Sequence, residues 1–263
     1  MRNMAWLMAV FLLFGLYGCG GDRKERAERM ESADQTELIV SAAASLQEAL
    51  GEAKTAFERK HPNIRIHYNF GASGALQKQI SEGAPVDLFF SAAVEPFVKL
   101  KQEGLIDSEH EKTVLANELV LIVPKQGEEA IRSLGDLIRA KRVAIGIPES
   151  VPAGMYAKQT LEQAGLWKQV KPKLVYAKDV RQVLTYVETG NVDAGFVYRT
   201  DALVSDNVNI AAAVPSRMHG PIVYPLGVVK TSKHLKEARE FYSYLTSEQA
   251  LHTFEQHGFR RAR

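Results

Sequence analysis

Five short stretches place small residues and hydroxyls where a strand-like run gives way to a helical one: SAAASL (41–46), GASGAL (71–76), ESVPAGMYAK (149–158), AKDVRQVL (177–184) and FVYRTDA (196–202). They put Ser45, then Ser73 and Gly74, then Pro152, Ala153 and Gly154, then Asp179 and Val180, and last Tyr198, at or beside helix starts. The chemistry open to such turns is anion binding. The first N–H groups of a helix have no partner within it and share roughly half a unit of positive charge. Small side chains leave them uncovered. Several helix starts converging on one point hold an anion without any basic residue, and Ser and Tyr hydroxyls add donors of adjustable direction. Singly, each turn has an ordinary explanation. Ser45 and Ser73 suit simple caps, with Ser45 and Glu48 making a capping-box pattern. VPAG suits a helix with Pro in its first turn, Asp179 an N-cap, and Tyr198 a half-buried core position. Ligand binding is a property of the set.

Other chemistries find little support. No G-x-S-x-G elbow surrounds Ser45 or Ser73. There is no Walker A sequence and no G-x-G-x-x-G after a strand. The seven histidines, at 61, 67, 110, 219, 234, 252 and 257, lack a metal-binding spacing such as H-E-x-x-H. Asp87, Glu149, Asp179 and Asp193 are candidate carboxylates, but nothing in the sequence brings two of them together. A net charge of +2 leaves no nucleic-acid footprint. The expectation is a binding protein, not an enzyme, with no cofactor and no direct cation ligands.

The elements that must position these turns alternate. ELIVSAA reads as a buried strand, and SLQEALGEAKTAFERKHP as a helix with Leu46, Ala49, Leu50, Ala53 and Phe57 on one face. Ile64 to Phe70 is the next strand, a helix follows GASG, VDLFFSA is the third strand, and a helix lies near 95–103. Then come strand ELVLIVPK, a helix near 133–140, strand RVAIGIP, helix 153–164, strand KLVYA, helix 179–188 and strand DAGFVY. NIAAAVP, IVYPLGVVK and two helices near 233–245 and 247–256 close the chain. This is an α/β pattern on mostly parallel sheets. At 263 residues the length favours two such units over one sheet. ELVLIVP and IVYPLGVV are the candidates for two crossings between them, with a single doubly wound domain as the alternative.

The start of the chain differs. Arg2 precedes an almost wholly apolar run, MAWLMAVFLLFGLYG, the length of a signal-peptide core and shorter than the ~20 residues of a comfortable membrane span. It ends in LYGC, and Leu16, Gly18 and Cys19 match the bacterial lipoprotein signal pattern. That match implies cleavage after residue 18 and lipid on Cys19, the single cysteine. Residues 19–36 then read as a charged, solvated tether.

Six segments taken together, AAASLQEAL, GASGALQKQI, GAPVDLFFSA, VPAGMYAKQTLEQAGLW, DVRQVLTYVETGNVDAGFVY and YPLGVV, resemble the molybdate-binding proteins of bacterial ABC transporters, in the same order from about residue 38 to 259. The resemblance implies a type II periplasmic-binding fold: two α/β lobes joined by two crossing strands and closing over a ligand cleft. Lobe 1 would comprise 37–120 plus 223–263, and lobe 2 would comprise 121–222. It also implies an oxyanion held by Ser45, Ser73, the backbone N–H groups of Ala153 and Val180, and Tyr198. Many members carry a further hydroxyl beside the second serine; here its neighbours are Ala72 and Gly74. The implied partners are a small inorganic oxyanion, an ABC transporter permease and, through lipid on Cys19, the membrane, for an extracytoplasmic monomer that binds no nucleic acid.

Molybdate and tungstate are unprotonated dianions near neutral pH and offer acceptors only, so a site of pure donors suits them. Phosphate keeps a proton and profits from a carboxylate acceptor. Sulfate is the closer competitor, separated by size alone. A hydrogen bond to a charged group contributes about 1.5–3 kcal/mol. Five or six therefore give roughly 8–18 kcal/mol before ordering costs, a range from micromolar to tighter than nanomolar.

Overall fold

The computed structural model describes residues 35–126 and 131–262. The signal peptide, Cys19 and all but the last two residues of the expected tether lie outside the described residues. Thr36 already belongs to the first strand. Glu37–Arg263 gathers into a compact unit built on two sheets.

The first sheet takes its parallel core from β1 (Thr36–Ala43) and β3 (Leu88–Phe90), with Val40 opposite Leu88 and Ala42 opposite Phe90. β2 (Ile64–Gly71) lies outside β1. On the other side of β3 come β10 (Val223–Val229), β4 (Ile106–Ala116) and β11 (Arg260–Arg261). The second sheet has the order β7 (Leu174–Ala177), β6 (Val143–Gly146), β8 (Ala194–Tyr198), β5 (Leu119–Pro124), β9 (Val208–Ala213). Its first three strands are parallel, and β5 runs antiparallel to β8 and β9. The chain thus crosses between sheets twice, at Asn117 and Glu118 and again between β9 and β10. The crossings are tied together by Asn117 N–H donating to the Ile222 carbonyl at 3.1 Å.

In chain order the helices are α1 (Gln47–Lys60), α2 (Ser73–Ser81), α3 (Val94–Gln102), α4 (Pro152–Gln163), α5 (Trp167–Val170), α6 (Val180–Glu188), α7 (Arg199–Leu203), α8 (Leu235–Leu245) and α9 (Glu248–Gln256). Helix α1 buries Ala49, Leu50, Ala53 and Phe57, the face its spacing predicts. Phe57 packs against Phe241 and Tyr244 of α8, with ring centroids 4.7 and 5.3 Å apart. The strands next to the cleft are buried on both faces at their carboxyl ends, as parallel strands covered by helices must be. No helix among the described residues is long and apolar enough to cross a membrane.

The sheets are mixed and not mostly parallel as expected, because β10 runs antiparallel to β3 and β4, β11 to β4, and β5 to β8 and β9. Three local expectations also change. The helix expected near 133–140 is a single 3-10 turn, Leu134–Ile138. Asp136 Oδ2 accepts from Ser133 Oγ at 2.8 Å and from Arg132 N–H at 3.1 Å, local bonds that compete with an α-helical ladder. The Ser45–Glu48 capping box does not form. Ser45 sits inside a 3-10 turn, Ala44–Leu46, its hydroxyl 3.0 Å from Tyr224 Oη, and Glu48 bonds Arg181. Strand β4, IDSEHEKTVLA, gave no sequence signal, because its charged middle faces solvent and only its ends are buried.

Candidate anion-binding site

All five residues carried over from the resemblance line one cavity, together with Ala92, Gly71 and the VP of VPAG. Each lies at the carboxyl end of a parallel strand or at the helix start beyond it: Ser45 after β1, Ser73 after β2, Ala153 after β6, Val180 after β7 and Tyr198 ending β8. In α/β sheets this is where ligands bind, since helix N-termini converge there. The empty space is about 210 Å³, part of it open to solvent. The space that a water-sized sphere's centre can reach is only about 10 Å³, room for about one small group. No charged side chain lines it.

The donors differ in how they are held. Ala153 is the second residue of α4 and Val180 the first of α6, positions whose N–H groups have no intrahelical acceptor. Asp179 caps α6 through Oδ1, which accepts from Gln182 N–H at 2.9 Å; its carboxylate is thereby turned to its own helix. Ser73 is fully buried, and its Oγ accepts from Ala92 N–H at 2.9 Å. Tyr198 is 1 % exposed, and its hydroxyl has only a long contact, 3.5 Å, to the Ala92 carbonyl. Burial raises the Tyr198 phenol well above its ordinary pKa, so it stays a neutral donor.

Two sheets supply the walls, and their contact is close. Gly74 N–H, at the start of α2, donates to the Ser150 carbonyl at 3.0 Å. A Cβ on Gly74 would lie 2.8 Å from that oxygen and 2.9 Å from Ser150 Cα, so the approach requires glycine. The neighbour that could have carried a further hydroxyl instead carries this backbone contact. Beside the mouth, Arg181 bonds Glu48 of α1 and approaches Asp201 of α7, its Nε 2.9 Å from Asp201 Oδ1 without hydrogen-bond alignment. One guanidinium thus links the two halves.

Asp201 is fully buried, and its Oδ2 accepts from Tyr198 N–H at 3.1 Å. Burial lifts its carboxyl to about 7, with the nearby Arg181 pulling the other way. A folded pKa raised above the unfolded value gives stability that is complete below about pH 4 and lost as pH rises through about 7. In Asp201→Asn, urea unfolding across this window is expected to show a shallower decline with pH than in the parent. An unchanged slope would assign the pH dependence elsewhere.

Ala92 and Tyr224 were not singled out by sequence. Ala92 lies within SAAV (91–94), one more small-residue turn after a strand, so its signal was present. Tyr224 sits in the middle of a strand-like run and carries none. Among the carboxylates, Asp87 is structural, Oδ2 accepting from Ile39 N–H at 2.7 Å and Oδ1 from Ser232 Oγ at 2.5 Å. Asp193 Oδ2 accepts from Lys141 and Arg142 N–H at 2.5 and 2.9 Å. Asp107, Glu109 and His110 come together far along the chain from these turns, but Asp107 already pairs with His110 and Arg239.

Comparison with known proteins gives a consistent result. A family model described as bacterial extracellular solute-binding protein matches residues 38–260. A Bacillus subtilis (strain 168) protein, YvgL, provisionally named an ABC transporter substrate-binding lipoprotein, is 51% identical over 252 residues, covering 96% of this chain and 95% of its own. The molybdate-binding protein ModA of Haemophilus influenzae is 36% identical over 234 residues, covering 86% of this chain and 91% of its own. Among solved structures, a substrate-binding domain from Clostridium difficile, of a transporter provisionally named for molybdenum, superposes with a TM-score of 0.67 at 39% identity, covering 87% of this chain and 100% of that one. The fold is that of the periplasmic binding proteins, two α/β lobes about a cleft.

Proposed function

We propose that this chain, which belongs to the bacterial extracellular solute-binding protein family, captures molybdate or tungstate outside the cytoplasm and delivers it to an ABC transporter permease. The anion would be held by Ser45, Ser73, Tyr198 and the N–H groups of Ala153 and Val180. The observation that carries this reading is the cavity itself: five neutral donors from both sheets, no charged side chain and no carboxylate facing in. An acceptor-only dianion is the ligand such a wall fits. Similarity to a protein named for molybdate binding supports the choice among such anions.

In this proposal the chain works as a monomeric binding protein, not an enzyme, and needs no cofactor. Its lobes are 37–120 plus 223–263 and 121–222. Lipid on Cys19 anchors it, and residues 19–36 let the folded body stand off the membrane. Ligand favours the closed arrangement because only there do both halves supply donors, and the permease reads that closed form.

Calorimetric titration of the purified protein with molybdate, with sulfate and phosphate as competitors, tests the reading. Submicromolar molybdate binding that survives millimolar sulfate is expected. Tight sulfate or phosphate binding with no molybdate heat would keep the fold and replace the substrate.

A further inference from the structure

A serine hydroxyl has one hydrogen and two lone pairs, so by itself Ser45 is free to donate or to accept. Its surroundings remove that freedom. Asn117, on the first crossing, has its amide oriented by a backbone group: Oδ1 accepts from Glu118 N–H at 2.9 Å. Its Nδ2 therefore points the other way, with one hydrogen on Thr200 Oγ1 at 2.9 Å and the other on Tyr224 Oη at 3.2 Å. Tyr224 is fully buried in β10. Its oxygen accepts from Asn117, and an amide nitrogen cannot accept in return. The phenol hydrogen is left with Ser45 Oγ, 3.0 Å away, as its described partner. Burial raises the Tyr224 phenol well above its ordinary pKa, so that hydrogen is retained. Having accepted from Tyr224, Ser45 has its own hydrogen left for the cavity that it lines.

We propose that Asn117 and Tyr224 are positioning residues whose relay, Asn117 to Tyr224 to Ser45, fixes Ser45 as a donor and so excludes oxyanions that carry a proton. This deepens the reading proposed above and rests on it. A protonated anion must find an acceptor in the wall. Ser45 keeps a second lone pair, but to face the cavity with it the hydroxyl must turn its own hydrogen aside: toward Tyr224, which strands the fully buried Tyr224 hydrogen, or to the remaining position about Oγ, where no acceptor is described and the Ser45 hydrogen is itself stranded. A stranded buried donor costs about 1–3 kcal/mol, or roughly 5- to 150-fold in affinity. Ser73 is set the same way by Ala92 N–H, through a backbone group that no side-chain substitution removes.

Sulfate and phosphate isolate the effect, being similar in size and differing in the proton. Their inhibition constants against molybdate would be measured at pH 8, where both are dianions, on the purified full chain. Tyr224→Phe removes the incoming hydrogen bond but offers the Ser45 hydrogen no acceptor, so Ser45 stays a donor. Molybdate, sulfate and phosphate weaken together, and the phosphate-to-sulfate ratio stays near that of the parent. Asn117→Asp is the second variant. An acceptor in place of the amide donor draws the Tyr224 hydrogen away, Ser45 then donates to Tyr224, and a lone pair faces the cavity. The phosphate-to-sulfate ratio falls by about 10-fold, and comparing two dianions cancels most of the added negative charge. If Asn117→Asp weakens sulfate and phosphate by the same factor, or Tyr224→Phe moves the ratio as far, Tyr224 and Asn117 only support the fold and the relay is wrong. If the parent binds neither molybdate nor sulfate, the proposed function fails and the relay falls with it.

Discussion

Val180→Pro is expected to weaken molybdate binding roughly 10- to 150-fold while the protein still folds. The substitution deletes one hydrogen, the N–H of the first residue of α6. That hydrogen has no intrahelical acceptor to lose. Proline is favoured at this helix position, where its fixed φ suits the helix. The residue before a proline must be extended, and Asp179 already is, at φ −157° and ψ 174°. The Asp179 cap onto Gln182 N–H does not involve Val180. What disappears is a hydrogen bond to a charged ligand, about 1.5–3 kcal/mol, with about 1 kcal/mol of lost packing from a buried valine. The measurement pairs calorimetric affinity with a melting curve. A near-parental affinity would remove Val180 N–H from the site. The equivalent change at Ala153 is less clean, because Pro152 before it would be pushed out of its helical conformation.

Gly154→Ala is expected to damage both stability and binding. The added Cβ would lie 2.0 Å from the Gly146 carbonyl oxygen and 2.5 Å from its carbon. Both are backbone atoms, so no rotamer change relieves the clash. Either the start of α4 or the end of β6 must shift, and the shift moves Ala153 N–H off the cavity. Overpacking of this kind costs about 1–3 kcal/mol or more, and at this chain length each kcal/mol lowers Tm by about 2–4 °C. A fall of about 4–10 °C by scanning calorimetry, with molybdate binding at least about 10-fold weaker, is the expected pair of results. Gly51 provides the contrast. It lies inside α1 with nothing within 4 Å of an added Cβ. There Gly51→Ala should stabilise by about 0.5–1 kcal/mol, since a glycine in a helix interior carries only its entropic penalty. If Gly154→Ala behaved like Gly51→Ala, the close approach of α4 to β6 would not exist in solution.

Much of the architecture was legible because its physics is local. Alternating apolar runs and helical stripes predicted β1, α1, β8 and α8, since burying such a stripe leaves few other choices. The small-residue turns showed where uncovered helix N-termini would lie. Misreadings arose where contacts distant in sequence decide the outcome. Ser45 and Glu48 have capping-box spacing, yet Tyr224, 179 residues away, takes the serine, and Arg181, 133 residues away, takes the glutamate. Strand β4 has a polar middle that only pairing with β10 makes a strand.

The sequence by itself determined the alternation, the donor types and their positions at helix starts, because these follow from side-chain size, backbone valence and hydrophobic period. It did not exclude a charged anion site, since the same turns carry Lys178, Arg181 and Arg199, and only the structure keeps these out of the cavity lining. Convergence was decided only by the tertiary structure. Two sheets with different strand orders, joined at Asn117 and Ile222, bring turns more than a hundred residues apart to one small cavity. The same crossing puts Asn117 against Tyr224 and Tyr224 against Ser45, which sets the direction of a hydrogen bond. No periodicity encodes that direction, because it depends on which groups the fold leaves without any other partner.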